Sequence, residues 1–317
     1  MRIAGPLVLL ATGLIMTLPA SAVELHGHRG ARGLVPENTL ASFRAALAHG
    51  VDCIEIDIGM SRDGVLVIHH DRALNPVIAR DGAKWITAPV ALKSLDYAQI
   101  ARFDVGRLKP GTPYAAKWPA QVPADGARIP RLGDMLAMAE LAEKIGVCLN
   151  IEVKTSPEAP DETFPPERIS AALVAELDRH GFRNRVRIQS FDWRNLTFLA
   201  NQAPDIPLSF LTAEQDWLDN VRRRSSQASP WLAGANLAAF DGLLPAAIKR
   251  LGGRIWAPYH RDIGANDVAA ARALGLKVIV WTVNDASDMR RAMRLGVDGL
   301  ITDYPDVGAA EIRAAAL

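Results

Sequence analysis

A chain of 317 residues with an apolar fraction of 49% has ample material for a large core, and its length suits either two ordinary domains or one α/β barrel. Its 36 Lys and Arg balance 35 Asp and Glu, so there is no broad basic field and no nucleic-acid partner is expected. The two cysteines, with no Cys or His at zinc-ligand spacing, argue against a zinc centre.

The N-terminus reads as an export signal. Arg2 precedes an apolar stretch from Pro6 to Leu18, and Ala20-Ser21-Ala22 supplies small residues for cleavage after Ala22. The stretch is short for a membrane span, and no later segment is long enough. Residues 23–317 are therefore expected as a soluble, exported domain, periplasmic or secreted, with no Cys at the cleavage site to carry a lipid.

Beyond the signal, short apolar runs alternate with amphipathic helical stretches, the order of a parallel α/β fold. The predicted strands are Glu24 to His28, Cys53 to Ile58, Val147 to Val153, Val186 to Ser190, Pro207 to Leu211, Arg254 to Pro258, Val278 to Val283 and Gly299 to Thr302. Eight such strands predict a TIM (β/α)8 barrel. Helices are predicted over Thr39 to His49, capped by Asn38 and stopped at Gly50, and over Leu132 to Lys144, Pro166 to His180, Trp193 to Gln202, Ala265 to Leu274 and Ser287 to Leu295.

The run Val65 to His70 follows the second strand too closely for a crossover helix, so it is expected as an antiparallel return across the Ser61–Gly64 turn, with His70 roughly opposite Glu55. Residues 72–131 are rich in Pro, Gly and charge, with one helical piece near Leu92 to Phe103 and a long irregular loop from Leu108 to Pro130. They read as an insertion on the catalytic rim, where barrel loops carry specificity. Cys53 and Cys148 are expected as small apolar fillers low in the barrel, a disulfide between them being the lesser alternative.

The chemistry gathers in the first half of the chain. Glu55 and Asp57, separated by one residue on a strand, share a face, and two inward carboxylates demand neutralisation. Glu152 ends the next barrel strand and converges on the same rim. Three carboxylates with open positions suit a hard divalent cation, Ca²⁺ or Mg²⁺. His28 and His70 are placed to serve as acid and base, since imidazole titrates near neutral pH. Arg29 offers a forked donor for phosphate oxygens, and Lys154, sharing the parity of Glu152, either neutralises a carboxylate or holds a phosphate oxygen. Gln189 and Trp281 reach the same rim and are expected to bind substrate, with Trp281 either core or a wall for the glycerol or alcohol part of a ligand. His26 and His69 read as structural. Glu37 is expected to tie its loop to a nearby cation.

Taken together, His28-Arg29-Gly30, Pro36-Glu37-Asn38-Thr39, Ile54-Glu55-Ile56-Asp57, Asp63-Gly64, His70-Asp71, Ile129-Pro130, Ile151-Glu152-Val153-Lys154, Gln189-Ser190-Phe191, Trp281-Thr282-Val283-Asn284 and Gly299 to Pro305 resemble the glycerophosphodiester phosphodiesterase family. The resemblance implies a barrel with an insertion after His70-Asp71 and a metal held by Glu55, Asp57 and Glu152. It also implies His28 and His70 as the acid–base pair, and hydrolysis of glycerophosphodiesters to an alcohol and sn-glycerol 3-phosphate. After His70-Asp71 the chain reads Leu74-Asn75-Pro76 where many members have Leu, a spacer and Arg-Thr, a departure that bears on substrate preference.

Other readings keep part of this picture. Lysophospholipids or phosphoinositides are alternative substrates for the same barrel, although no helix with a strong basic face supports membrane docking. A non-catalytic phosphodiester-binding protein would not need both histidines. Glycoside hydrolysis by the carboxylate pair leaves Arg29, Lys154 and the histidines without a task.

Overall fold

The computed structural model describes residues 23–225 and 227–317; the predicted export signal lies outside them. Nine strands form the main sheet: β1 Glu24–Gly27, β2 Cys53–Met60, β3 Leu66–Ile68, β4 Cys148–Val153, β5 Val186–Ser190, β6 Leu208–Thr212, β7 Ile255–Pro258, β8 Lys277–Val280 and β9 Gly299–Thr302. Eight are parallel and run β1-β9-β8-β7-β6-β5-β4-β2, and β2 pairs back with β1, closing the barrel. β3 is the predicted return strand, antiparallel to β2. The eight predicted strands are thus all present, two with the predicted bounds, Val186–Ser190 and Gly299–Thr302, and the rest with an end shifted by no more than three residues.

Helices fill the crossovers. Leu40–Ala48 joins β1 to β2, Pro166–Arg179 joins β4 to β5, and Trp193–Gln202 joins β5 to β6. Leu244–Arg250 and the C-terminal Pro305–Ala315 are helices the periodicity did not single out. The predicted helix from Leu132 to Lys144 is two pieces, Leu132–Leu136 and Ala139–Glu143. The backbone becomes extended at Met138, whose side chain is buried in the main core. Between barrel and helices, Phe43, Trp193 and Phe210 are fully buried, each contributing roughly 1.5–3 kcal/mol by removal from water. Among the described residues no helix is long and apolar enough to cross a membrane.

The barrel interior is divided. Alternation along the strands sends Glu24 and His26 of β1, Cys53, Glu55 and Asp57 of β2, Asn150 and Glu152 of β4, and Arg187 and Gln189 of β5 inward on one side. On the other, Ile255, Ile279 and Ile301 form a small apolar cluster under Trp281. In the polar half the register sets Cys53 beside Cys148, Glu55 beside Asn150 and Asp57 beside Glu152. That register overturns the expectation of two free cysteines. Their Cα atoms are 4.4 Å apart across neighbouring strands, and Cys53 and Cys148 are joined as a disulfide.

The segment 72–131 has more order than its composition suggested. Ala73–Leu74 pairs with Val90–Ala91, Arg80–Asp81 pairs with Lys84–Trp85, and Leu74, Ile78, Leu92, Ile100, Leu108 and Trp118 belong to a second apolar core. The helical piece expected from Leu92 to Phe103 is a 3-10 turn, Leu92–Ser94, followed by the short helix Tyr97–Ile100. Within the expected loop from Leu108 to Pro130 lies one helical turn, Pro113–Ala116, which brings the Tyr114 hydroxyl to Glu37 in the loop after β1.

Candidate active site

The turn after β1 is built from consecutive left-handed residues, Arg29 at φ 51° and Gly30 at φ 87°. Position 30 requires glycine: a Cβ there would stand 2.5 Å from Ser42 Oγ, in a conformation side chains rarely adopt. A left-handed Arg costs about 1–3 kcal/mol and persists where its surroundings fix it. Here the Arg29 N–H donates to Glu55 Oε2 at 2.9 Å, and the Gly30 N–H reaches the Glu55 carbonyl oxygen at 3.2 Å. Asn38, at φ 54°, is not the helix cap. Its Nδ2 donates to Asp57 Oδ2 at 2.9 Å, while Thr39 Oγ1 caps the helix by accepting from the Ser42 N–H.

Glu55, Asp57 and Glu152 are all buried, and one oxygen from each lies within 4.8 Å of the others. Burial, with the charges of Asp57 and Glu152 added, pushes the Glu55 carboxyl well above the usual carboxylate range. Burial likewise raises Glu152 to about 7, even beside Lys154. Burial acts the same way on Asp57, yet Lys154, His70 and Arg29 hold it well below its ordinary value. Lys154 Nζ lies 2.6 Å from Glu152 Oε1 and 3.0 Å from Asp57 Oδ1, so it neutralises two carboxylates, one of the two roles its parity allowed. Arg29 Nη1 donates to Glu37 Oε1 at 2.6 Å and its Nε stands 3.3 Å from Asp57 Oδ2. Part of the guanidinium is therefore committed, and the cation that Glu37 ties is Arg29 itself. Tyr114 of the inserted segment hydrogen-bonds the other Glu37 oxygen.

Each predicted catalytic histidine has a carboxylate partner on Nδ1. His28 Nδ1 is 2.7 Å from Asp303 Oδ1, and His70 Nδ1 is 2.7 Å from Asp71 Oδ1. Such pairing fixes the tautomer with Nδ1 protonated and leaves Nε2 for chemistry. Burial lowers both imidazoles to about 4, with Arg29 and Lys154 adding repulsion at His70 and Arg32 at His28. His70 does not sit opposite Glu55: the register of β2 and β3 runs Ile58–Ile68 and Gly59–Val67, and extending it sets His70 against Ile56. It still lines the same cavity as Glu55, because it lies past the end of β3, where pairing no longer dictates its direction. His26 is fully buried at the barrel base and His69 Nε2 lies 3.3 Å from the Ala73 carbonyl, consistent with structural roles.

One cavity of about 430 Å³ is lined by His28, Arg29, Glu55, His70, Glu152, Lys154, Gln189 and Trp281. Every predicted site residue except Asp57 borders it, and Asp57 lies directly behind, bonded to Asn38. Sequence reasoning gave no role to Asp303, which accepts from Arg32 Nε at 2.7 Å and Asn284 Nδ2 at 2.7 Å besides holding His28. A signal was present: Asp303 follows Ile301 at inward parity within the Gly299–Pro305 stretch. Asp71 was equally visible beside His70. Trp217 and Tyr259, which also line the cavity, had no such signal.

Known proteins resemble this chain in sequence and in fold. The profile described as "Glycerophosphoryl diester phosphodiesterase family" matches residues 28–307. A crystal structure from Silicibacter pomeroyi DSS-3, described as a candidate glycerophosphoryl diester phosphodiesterase, is 36% identical at a TM-score of 0.82, covering 94% of this chain and 95% of that one. The glycerophosphodiester phosphodiesterase of Caldanaerobacter subterraneus subsp. tengcongensis is 27% identical over 88% of this chain and 93% of its own. An Oleispira antarctica phosphodiesterase, solved with the product sn-glycerol-3-phosphate, shares the fold at a TM-score of 0.67 and 23% identity, covering 92% of this chain and 96% of that one.

Proposed function

Since the chain belongs to the glycerophosphoryl diester phosphodiesterase family, we propose that it hydrolyses glycerophosphodiesters to an alcohol and sn-glycerol 3-phosphate, using a Ca²⁺ or Mg²⁺ ion held by Glu55, Asp57 and Glu152 and His28 with His70 as acid and base. The observation that carries this reading is the pair of Nδ1-anchored histidines bordering the cavity with the buried carboxylates.

The donor set fits a hard cation. It is all oxygen, buried, and short of neutralisation: Glu55 is driven toward its protonated form, and Asp57 Oδ1 has an ion-pair contact with Lys154 but no hydrogen bond. Such an ion, when bound, supplies Lewis-acid polarisation of the phosphate. The chain's own groups do the rest. Lys154 and Arg29 bring positive charge to the phosphate, and the Nε2 of one histidine takes a proton from the attacking oxygen, of water or of the substrate's own glycerol hydroxyl, as that oxygen bonds to phosphorus; in the second case water then opens the cyclic phosphate. The Nε2 of the other, charged as an imidazolium against its own carboxylate once the anionic substrate is bound, gives its proton to the departing oxygen, so that the P–O bond breaks to a neutral alcohol. Asp303 and Asp71 stabilise whichever imidazolium forms.

Phosphorus NMR of a glycerophosphocholine digest tests the reaction, since glycerol 3-phosphate and phosphocholine give separate signals. Glycerol 3-phosphate is expected. Phosphocholine as the first product would reverse the leaving group, and turnover of lysophospholipid without any glycerophosphodiester would reassign the substrate.

We also infer export, from the N-terminal pattern and from the Cys53–Cys148 bond, which an oxidising compartment would preserve.

A further inference from the structure

The loop after β1 carries Arg29, Arg32 and Glu37, and one short stretch of the inserted segment grips it from end to end. The Tyr114 hydroxyl donates to Glu37 Oε2, while Glu37 Oε1 accepts from Arg29 at 2.6 Å. The Trp118 ring lies against the Arg32 guanidinium, whose Cζ stands 4.5 Å from the ring centre. Gln121 Nε2 donates to the Arg32 carbonyl at 2.7 Å, and the Val122 N–H donates to the Leu34 carbonyl at 2.8 Å. The last two contacts hold backbone, as any loop packed on another would need. The first two end on charged side chains that lead straight to the catalytic groups.

Arg32 borders the cavity, and its edge is committed to one carboxylate: Nε donates to Asp303 Oδ1 at 2.7 Å and Nη2 to Asp303 Oδ2 at 3.0 Å. The same Oδ1 holds His28 Nδ1 at 2.7 Å. Arg32, Asp303 and His28 are therefore one unit, whose alignment depends on the plane of the guanidinium, and the face of that plane is what Trp118 covers. The indole itself argues for this task. Trp118 is 9% exposed, yet its N–H has no hydrogen-bond partner among the described residues. A buried Trp usually finds one, and Leu or Phe would fill the space without an orphaned donor. What indole adds over them is the ring face that best attracts a cation.

We propose that Trp118 and Tyr114 of the inserted segment are positioning residues for the active site. Trp118 fixes Arg32 and, through it, the Asp303–His28 pair; Tyr114 fixes Glu37 and, through it, Arg29. Both act from behind, since neither ring borders the cavity.

Two double-substitution cycles on glycerophosphocholine test this, with kcat and KM read separately and a thermal melt of each variant. Trp118→Met should lower kcat by up to roughly 10²-fold, the scale of a misplacement by about 1 Å, with KM little changed and most of the loss recovered in Trp118→Phe. Added to Arg32→Met, it should lower kcat no further, because the ring then has no cation to fix. Tyr114→Phe should raise KM by roughly 2- to 10-fold, the scale of one hydrogen bond, and add nothing to Glu37→Gln. Losses that simply add in the first cycle, or a lower melting temperature with kcat intact, would reduce Trp118 to core packing; a wild-type KM in Tyr114→Phe would dismiss Tyr114. The catalytic arm rests on the hydrolytic reading above. A second readout does not: the proton on His28 Nδ1, hydrogen-bonded to Asp303, gives a downfield NMR signal, assigned by its loss in His28→Ala. That signal should broaden or shift in Trp118→Met and persist in Trp118→Phe, with Trp118→Leu standing in if the Met variant does not fold. An unchanged signal would overturn the role of Trp118, whereas the expected change in a protein that cleaves no glycerophosphodiester would remove the hydrolytic reading alone.

Discussion

Gln189 Nε2 donates to Glu55 Oε1 at 3.0 Å, and the same side chain accepts from Asn150 Nδ2 at 2.9 Å. Once a bound cation holds Glu55 ionised its carboxylate only accepts, so Gln189 presents its NH₂ to Glu55 and its oxygen to Asn150. Asn150 Nδ2 in turn lies 3.5 Å from His26 Nδ1, and His26 Nε2 lies 3.3 Å from Glu24 at the barrel base. A line of polar side chains thus runs up the interior and fixes one oxygen of Glu55, while the Arg29 N–H fixes the other.

Loss of that support should loosen the cation site without touching a ligand. Gln189→Leu is expected to weaken Ca²⁺ or Mg²⁺ binding by roughly 10- to 100-fold, the usual effect of removing a partner that orients a ligand. Metal titration by calorimetry, with a thermal melt to verify folding, measures it. Wild-type affinity in the variant would take Gln189 out of this role.

Asp303 offers a second test, because it can hold His28 only as an anion or acceptor correctly placed. Arg32 and His28 keep its carboxyl far below the ordinary range despite burial. Asp303→Asn retains the shape but allows the wrong tautomer at His28, so kcat should fall by up to roughly 10²- to 10⁴-fold, the range of general acid–base help, with KM little changed. A kcat close to wild type would show that His28 does not need its carboxylate.

The two cases differ in how readable they were. Parity on β2 and β4 was enough to bring Glu55, Asp57 and Glu152 together, because strand alternation is local and barrel closure puts strand ends on one rim. Asp303 is joined to His28 across 275 positions of sequence, and only the β1–β9 pairing makes them neighbours. The Cys53–Cys148 bond depended on the β2–β4 register in the same way. His70 was set one residue out because counting across a turn fixes register only when the turn's geometry is known. Asn38 looked like a cap by residue type, yet its carboxamide had a better acceptor in Asp57, and Thr39 took the cap. Trp217 sits in a loop whose direction follows from Asp262, a contact that no periodicity announces.

Metal removal should be visible apart from turnover. A ligand that binds only the folded chain adds about 2.7 kcal/mol of stability at a hundred times its Kd. Adding Ca²⁺ or Mg²⁺ to chelated protein should therefore raise the melting temperature, and Glu152→Ala should abolish most of that rise together with activity. Full activity of Glu152→Ala after exhaustive chelation would dismiss the cation.

The disulfide and the export signal can be examined in one measurement. Intact mass of the exported protein is expected to match a chain beginning at Val23 and lacking the two thiol hydrogens of Cys53 and Cys148. Reduction should lower stability, since a bond closing a loop of 95 residues restricts the unfolded chain by an amount that loop entropy places at about 4–5 kcal/mol before strain. A mass retaining Met1, or both thiols free, would contradict the corresponding inference.

The barrel base predicts a pH dependence of stability. Burial alone would raise the Glu24 carboxyl, but hydrogen bonds from His26, Arg187 and Lys277 hold it well below its ordinary value, the Lys277 contact being 2.8 Å. The unfolded chain, with a carboxyl near about 4.3, then binds more protons than the folded one as pH falls through that value. Stability from Glu24 is fully present above about 4.3 and is lost progressively below it, toward the lowered folded value. Glu24→Gln should consequently melt lower than wild type at neutral pH, with a gap that narrows as the pH drops past this point. Paired melts from pH 7 to about 3 supply the comparison, and a gap that stays constant or widens in acid would show that the Glu24 charge does not stabilise the fold.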